Sequence, residues 1–245
     1  MHIQEFHFPS IDSTNLWIKR NISKLDPKLL TAVQADCQTK GQGRRGSTWL
    51  SPSQGNLYLS FHFTAHIQRF KDTNWLTINY LLALCLIEVL QEKGLSPKLK
   101  WPNDILIKEK KVSGILCETT QIDDKMHFII GIGVNINMAL PSLKTIDQPA
   151  TSLSQESHQE FSVSDIAQKL KKTFNKQLTL YLKEGFKPFY PLVCSFCTVK
   201  DKKVQVSYKG KQRQGRCLQI NEDGSLKITI DNLTIIDTFE AKIER

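Results

Sequence analysis

A stretch rich in glycine and arginine, residues 41–49, precedes a strongly alternating segment at residues 57–63. The alternation puts four large apolar side chains on one side of the chain, which predicts a strand with one apolar face. Glycine lets the main chain approach a ligand closely, and arginine offers a fixed charge and a donor fork suited to carboxylate or phosphate. The pattern therefore predicts an anion-binding loop anchored to a rigid strand.

The same loop is also compatible with a solvated basic segment of the kind found in nuclear-localisation signals. No Gly-Lys-Ser/Thr closes it, so it is not a Walker A motif. It is not a dinucleotide-binding fingerprint either, because the predicted element after it is a strand and not a helix. Taken alone, the loop leaves both interpretations open.

Residues 126–137 predict a strand with two different faces. One face carries Ile130, Ile132, Val134 and Ile136, and the other carries Gly131, Gly133, Asn135 and Asn137. The first face belongs to the core. Glycine inside a strand marks close approach by a ligand or another backbone, or it makes room for a packed helix. Both interpretations of the second face stay open.

The composition is that of an ordinary globular protein with a basic bias. The 245 residues are 40% hydrophobic, carry a net charge of +9 and have a pI of about 9.2, which favours acidic partners. The N-terminus has no signal pattern, and the apolar run 75–90 contains Asn79 and Glu88, so it predicts a buried helix. Six cysteines lack a zinc-like spacing. We expect reduced, mostly buried thiols in a cytoplasmic protein.

Further elements follow from periodicity and turn residues. We predict strands at 1–8 and 29–35 and a helix from the Asp12–Asn15 capping segment to about Ile22. The remaining predictions are a helix at 74–93, a hairpin tip at Glu109–Lys110, a strand at 112–119, a loop at 138–161 and a helix capped by Ser162.

The pattern changes near residue 195. Short alternating segments separated by turns at 209–210, 221–224 and 231–232 predict a small β-barrel. We therefore predict two domains, 1–195 and 196–245.

Five separated motifs stand in a fixed order. They are Ser13-Thr14-Asn15, the 41–49 loop, Lys100-Trp-Pro-Asn-Asp104, Lys111-Val-Ser-Gly114 and Gly131-Ile-Gly-Val-Asn135. In this order they closely resemble the biotin protein ligases, over nearly the whole chain. The resemblance implies an α+β fold: a mixed β-sheet catalytic domain with helices on one side, and a C-terminal SH3-like β-barrel.

The resemblance also implies the chemistry. Biotin would react with ATP to give biotinyl-5′-AMP, and biotin would then pass to a lysine of a biotin carboxyl carrier domain, as in acetyl-CoA carboxylase. Mg²⁺ would neutralise part of the triphosphate charge; we expect no dedicated metal-ligand residues. The chain begins almost directly at the catalytic domain, so we expect no DNA binding. We expect no membrane association, and the resemblance is compatible with a homodimer.

Site residues carried over from the family fall into three overlapping groups. The catalytic residues would be Lys100 and Arg44. The biotin site would comprise Ser13, Thr14, Asn15, Gln38, Gly41, Gln42, Gly43, Arg44, Lys100, Gly114, Gly131 and Gly133. The ATP and adenylate site would comprise Arg45, Gly46, Trp49, Asn103, Lys111 and Asn135. The family loop is usually Gly-Arg-Gly-Arg-x-Gly, so Gln42 removes one charge, which bears on retention of the intermediate.

Two other functions compete. Lipoate ligases and octanoyl transferases share the fold, and the transferases use a Cys–Lys pair, for which Cys117 is the candidate near a glycine-bearing strand. A basic nucleic-acid-binding protein is the second alternative, and it predicts binding that weakens steeply with salt.

Overall fold

A computed structural model of the chain describes residues 1–53, 55–70, 74, 77–230 and 234–243. Two β-sheets organise this part of the chain, one of seven strands and one of five. Helices cover the larger sheet, and the smaller sheet follows at the C-terminal end. The predicted α+β class, with a mixed-sheet domain and a small C-terminal β domain, is confirmed.

The larger sheet is mixed, as predicted. Its strands are β1 (Ile3–Phe8), β2 (Leu30–Ala35), β3 (Leu57–His66), β4 (Lys98–Lys100), β5 (Asp104–Ile107), β6 (Lys110–Ile122) and β7 (Lys125–Val134). They lie in the order β1-β2-β3-β7-β6-β5-β4, with β1 and β2 parallel and the other neighbours antiparallel. The hairpin between β5 and β6 turns at Lys108 and Glu109, one residue earlier than predicted, because both residues have left-handed backbone angles.

Helices lie on both faces of this sheet. They are α1 (Thr14–Asn21), α2 (Ile78–Gln91), α3 (Leu140–Leu143), α4 (Leu153–Ser157), α5 (Val163–Glu184) and α6 (Tyr190–Phe196). The main core holds α2 and α5, with the rings of Phe61 and Phe174 centred 4.5 Å apart. Helix α1 lies on the opposite face, where Ile18 packs in a separate cluster with Val33 and Ile129. The expectation of helices on one side was therefore wrong, since those strand residues form a second apolar patch.

Helix starts match the sequence in part. Ser162 caps α5, with its Oγ accepting a hydrogen bond from the Asp165 backbone N–H at 3.1 Å. Ser13 holds the N-cap position of α1, but its side chain makes no capping bond. The predicted helix at 74–93 is described from Ile78, and residues 75–76 lie outside the described part. Among the described residues no helix is long and apolar enough to span a membrane.

The segment 138–161 is more ordered than a loop. It contains α3 and α4, and Ser152 Oγ caps α4 by accepting from the Gln155 backbone N–H. All six cysteines are free thiols, as expected, but the expectation that most are buried was wrong, since only Cys85 and Cys217 are buried and Cys194 is exposed.

The smaller sheet is antiparallel. Its strands are β8 (Lys203–Tyr208), β9 (Lys211–Ile220), β10 (Leu226–Ile230), β11 (Thr234–Thr238) and β12 (Lys242–Ile243), in the order β11-β10-β9-β8-β12. The predicted turns at 209–210 and 221–224 join these strands, whereas the turn at 231–232 lies outside the described residues. The domain boundary at 195 falls just before the end of α6 and stays a prediction.

One turn of the smaller sheet holds it against the larger domain. The Gly224 carbonyl accepts hydrogen bonds from Tyr80 Oη at 2.9 Å and from Trp101 Nε1 at 3.2 Å. A Cβ on Gly224 would lie 2.8 Å from the Tyr80 ring, and the residue has φ +85°. Glycine is therefore required twice here, for the backbone angle and for the close approach.

We expect Gly224→Ala to reduce the free energy of unfolding more than Gly210→Ala does. Gly210 also has positive φ (+72°), but a Cβ there would meet no atom within 4 Å, so it reports backbone strain alone, about 1–2 kcal/mol. The contact with Tyr80 should add about 1–3 kcal/mol. Urea unfolding of both variants measures the difference, and equal losses would show that the contact with Tyr80 does not stabilise the fold.

Candidate active site

A cavity of about 750 Å³ lies over the glycine-bearing end of the larger sheet, between the start of α1 and the glycine-arginine loop. Most of the predicted site residues line it. They are Ser13, Thr14, Asn15, Gln38, Gln42, Gly43, Arg44, Arg45, Gly46, Trp49, Asn103, Lys111, Gly114, Gly131, Gly133 and Asn135. The volume suits a ligand of cofactor size.

One end of the cavity is neutral and rich in hydrogen-bonding groups. Gln38 Oε1 accepts from the Thr14 backbone N–H at 2.9 Å, and Gln38 Nε2 donates to Ser51 Oγ at 3.0 Å. Ser60 Oγ lies 2.6 Å from both Thr14 Oγ1 and Asn15 Oδ1. Ser60, Thr14 and Asn15 are all buried, so these polar groups are held in fixed positions.

The glycines on the second face of β7 make room for other parts of the chain, and the approach of a ligand to this face stays a prediction. A Cβ on Gly131 would lie 2.5 Å from Asn15 Oδ1, so this glycine makes room for the start of α1. A Cβ on Gly133 would lie 2.3 Å from Trp49 Nε1, so this one makes room for the indole ring of the loop. Both glycines also line the cavity. Side chains at either position would therefore displace parts of the cavity wall.

The glycine-arginine loop is folded over the cavity. Gly43 N–H donates to the Ser47 carbonyl at 2.7 Å, and a short 3₁₀ turn spans Arg44–Gly46 with Arg45 at φ 55°. Arg44 is half-buried and its Nη1 donates to Asn103 Oδ1 at 3.4 Å. Burial, reinforced by the charge of Arg45, lowers the pKa of the Arg44 guanidinium, which nonetheless stays protonated at neutral pH.

A second positive centre lies across from the loop. Lys111 Nζ is 2.7 Å from Asp104 Oδ1, and both side chains are mostly buried. Lys111 Nζ also lies 5.3 Å from the centroid of the Trp49 ring. The cavity thus has a neutral polar end and a cationic end. Such a site can hold one ligand with a polar uncharged head and another with a strongly anionic group.

Two predicted site residues lie outside the lining of this cavity. Gly41 is buried beneath the loop, where a Cβ would lie 2.4 Å from the Trp49 carbonyl oxygen, so its part is to let the loop fold. Lys100 ends β4 and lines a neighbouring cavity that also contacts Arg45, Trp101 and Asp104.

Asn135 lines the main cavity, and its Nδ2 donates to the Thr151 carbonyl at 3.1 Å.

Several lining residues carried no sequence signal. They are Thr145, Ile146, Asp147, Gln148 and Ala150 from the segment after α3, and Phe239 and Ala241 from the connection between β11 and β12. Asp104 was part of a motif, but no role was assigned to it. In the part of the chain that the structure describes, no three His, Cys, Asp or Glu side chains are grouped to hold a metal ion.

Comparison with known proteins gives the family. The model of the "Biotin/lipoate A/B protein ligase family" matches residues 7–135, more than half of the chain. The chain belongs to this family. The predicted membership and the assignment as a ligase enzyme are therefore confirmed.

Individual relatives extend the match beyond residue 135. The chain is 29% identical over 230 residues to "Bifunctional ligase/repressor BirA" of Escherichia coli, covering 89% of this chain and 70% of that protein. It is 33% identical to the protein of the same name in Bacillus subtilis, covering 87% and 66%. The biotin protein ligase of Aquifex aeolicus in complex with biotin and ATP superimposes with a TM-score of 0.79 at 29% identity, over 98% and 97% of the two chains.

We expect Gly133→Ala to loosen the glycine-arginine loop, because the new Cβ would collide with Trp49. Trypsin should then cleave after Arg44 and Arg45 several-fold faster than in the native protein. Trp49→Ala should have a similar effect. Since both changes act through one contact, the double variant should be cleaved no faster than Trp49→Ala alone. An unchanged cleavage rate in Gly133→Ala would contradict the packing described for this loop.

Proposed function

We propose that the protein activates biotin with ATP and transfers it to a specific lysine of a biotin carboxyl carrier domain. A biotin carboxylate oxygen attacks the α-phosphorus of ATP, the bond to the pyrophosphate oxygen breaks, and biotinyl-5′-AMP forms. The neutral lysine amine of the acceptor then attacks the acyl carbon, and AMP leaves with the electron pair. The identity of the acceptor is inferred from the family.

The observation that carries the proposal is the division of one cavity into a neutral and a cationic end. The first reaction needs an uncharged, hydrogen-bonding head group and two anionic reactants that must be brought together. At about 4 Å each added positive charge is worth roughly 4 kcal/mol at an effective dielectric near 20. Arg44 and Lys111 supply such charge in the cavity, and Arg45 stands at its rim.

The groups at the neutral end match the head of biotin. Thr14, Asn15 and Gln38 are fixed by hydrogen bonds to one another and to Ser60, and Gly131 and Gly133, which admit Asn15 and Trp49 to the sheet surface, line the cavity beside them. A flat cyclic urea can exchange hydrogen bonds with these groups at its edge. The Aquifex aeolicus ligase, which superimposes over nearly the whole chain, was solved with biotin and ATP.

Mg²⁺ fits this site as part of the ATP substrate. Magnesium is usually held by one or two carboxylates together with substrate phosphates, and Asp104 and Asp147 are the carboxylates in the cavity lining, with Asp104 also paired to Lys111. The ion would neutralise phosphate charge. The chain's own residues would orient the two reactants, and the loop would exclude water from the hydrolysable anhydride.

The octanoyl transferase alternative is weakened by the state of Cys117. Burial raises the pKa of this thiol far above its ordinary value, with the Glu118 charge adding to the effect. The reactive form of a cysteine is the thiolate, so Cys117 is poorly suited as a nucleophile. A lipoate ligase would differ from the proposed biotin ligase only in its substrate, so a test with both acids is needed to distinguish the two.

ATP–pyrophosphate exchange tests the first reaction. Purified protein with Mg²⁺ should exchange pyrophosphate when given biotin, and not with lipoate or octanoate. Exchange with lipoate alone would move the function to lipoylation, and no exchange with any acid would contradict the proposal. A carrier domain added to the same mixture should then gain biotin on one lysine.

We expect Lys100→Ala to abolish exchange while leaving the fold intact. The resemblance to the family assigns its charge to the reacting groups, and here it lines the neighbouring cavity that shares Arg45 and Asp104 with the main one. Lys98→Ala is the matched control, since Lys98 lies on the same short strand with an exposed side chain. Near-normal exchange in Lys100→Ala would refute the catalytic role of this residue. Circular dichroism establishes that both variants are folded.

Arg44→Gly should release the intermediate faster. Arg44 is the half-buried cation of the loop, so its loss removes charge that would retain the adenylate. Free biotinyl-AMP then labels lysines of bystander proteins, which a streptavidin blot measures. Lys40→Gly, an exposed lysine outside the cavity lining, is the control. Equal labelling by Arg44→Gly and the native protein would contradict the role of the loop as a lid.

A further inference from the structure

Glu118 was not among the residues that the sequence or the family pointed to, yet it contacts the neutral end of the cavity from outside. Its Oε2 accepts a hydrogen bond from Asn15 Nδ2 at 2.9 Å. Its Oε1 accepts from Lys19 Nζ at 2.6 Å. The carboxylate is therefore held between a lysine on the surface and a buried amide in the cavity wall, and it does not itself line the cavity.

This contact fixes which way the Asn15 amide faces. The NH₂ group lies against Glu118 and, at 3.4 Å, against the Leu116 carbonyl, and both of these groups only accept hydrogen bonds. The amide oxygen must then face the opposite side, toward Ser60 at 2.6 Å. Rotating the amide by half a turn would set two oxygens against each other at Glu118.

The orientation of Asn15 determines where the next protons lie. A serine hydroxyl has one proton, and Asn15 Oδ1 has none, so Ser60 must donate to Asn15. The equally short contact between Ser60 Oγ and Thr14 Oγ1 then requires the proton of Thr14, in preference to the longer contact of 3.2 Å between Thr14 Oγ1 and Gln38 Oε1. With its proton on Ser60, Thr14 Oγ1 keeps both lone pairs. In the reverse order it would accept from Ser60 and donate to Gln38, and it would keep only one lone pair, so the order seen here makes Thr14 the stronger acceptor in the cavity lining.

We infer that Glu118 is a positioning residue that makes the neutral end of the cavity accept hydrogen bonds. It does so by ordering the chain of bonds from Thr14 through Ser60 to Asn15. The ligand class that this end recognises is one with N–H donors at its head, such as a cyclic urea. The inference deepens the proposed function and rests on it, because biotin is the ligand whose ureido N–H groups would meet Thr14.

Replacing Glu118 by methionine tests the inference. Methionine keeps an extended side chain but cannot accept from Asn15, which then loses its shorter acceptor. Titration calorimetry with biotin should give a dissociation constant roughly tenfold weaker, the scale of one ordered hydrogen bond. The KM for ATP in pyrophosphate exchange should change less than twofold, because the cationic end is untouched. A general structural loss would weaken both.

Two further variants separate orientation from charge. Glu118→Gln can still accept from Asn15 Nδ2 through its amide oxygen, so biotin affinity should stay within about threefold of native. Ser60→Ala breaks the same chain of hydrogen bonds, so the double variant Glu118→Met/Ser60→Ala should bind biotin little more weakly than the weaker single variant.

Glu92→Met is the matched control, because Glu92 makes a comparable exposed pair with Lys169 at 2.9 Å and is not in the cavity lining.

Three results would overturn the inference. The first is native-like biotin affinity in folded Glu118→Met. The others are equal losses of biotin affinity in the Met and Gln variants, and a loss in the double variant that equals the product of the two single losses. Thermal unfolding shows whether each variant is folded. If Glu118→Met is unfolded, the biotin affinity of Glu118→Gln is compared with that of the native protein, and a loss of affinity well beyond threefold overturns the inference. If native protein itself binds no biotin, the proposed function fails and the inference fails with it.

Discussion

The active-site region depends on close approach at two glycines of β7. Gly131 and Gly133 leave the sheet bare at neighbouring positions of one face, while the isoleucines between them and beside them fill the core on the other. One bare position receives Asn15 and the other receives the indole ring of Trp49. The start of a helix and a surface loop are thereby brought to the same patch of sheet, and the cavity is the space left between them.

Electrostatics divides that space. The neutral end is built from side chains that satisfy one another, so its groups are buried without an unpaired charge. Cations at the other end are incompletely neutralised: Lys111 has Asp104, but Arg44 donates to the uncharged amide oxygen of Asn103. A half-buried guanidinium with a lowered pKa is costly to hold. An anionic ligand would offset that cost, so the closed loop is stabilised when an anion is bound, whereas opening the loop would hydrate Arg44 when the cavity holds no anion.

Much of the fold followed from the sequence, because strand alternation and capping residues are local signals. The two faces of β7, the cap at Ser162 and the turn at 221–224 could all be predicted this way. The motif residues of the cavity came from their resemblance to a family. What could not be predicted depends on contacts between distant positions. Asn15 and Glu118 are 103 residues apart, and nothing near either residue marks the bond between them. The placement of α1 on the second face and the contribution of residues 145–150 were missed for the same reason.

The Gly224 carbonyl has both of its lone pairs engaged, by Tyr80 and by Trp101. To swing away from the larger domain, the smaller sheet would have to break two buried hydrogen bonds at once. Phe239 and Ala241, which the connection between β11 and β12 contributes to the cavity wall, are therefore on the fixed side of the site. The glycine-arginine loop is held by backbone bonds within itself and by the contact of Trp49 with β7, so it is the side with fewer bonds to the rest of the fold. If the proposed transfer takes place, the protein acceptor would enter past the loop and meet the smaller sheet as a rigid back wall.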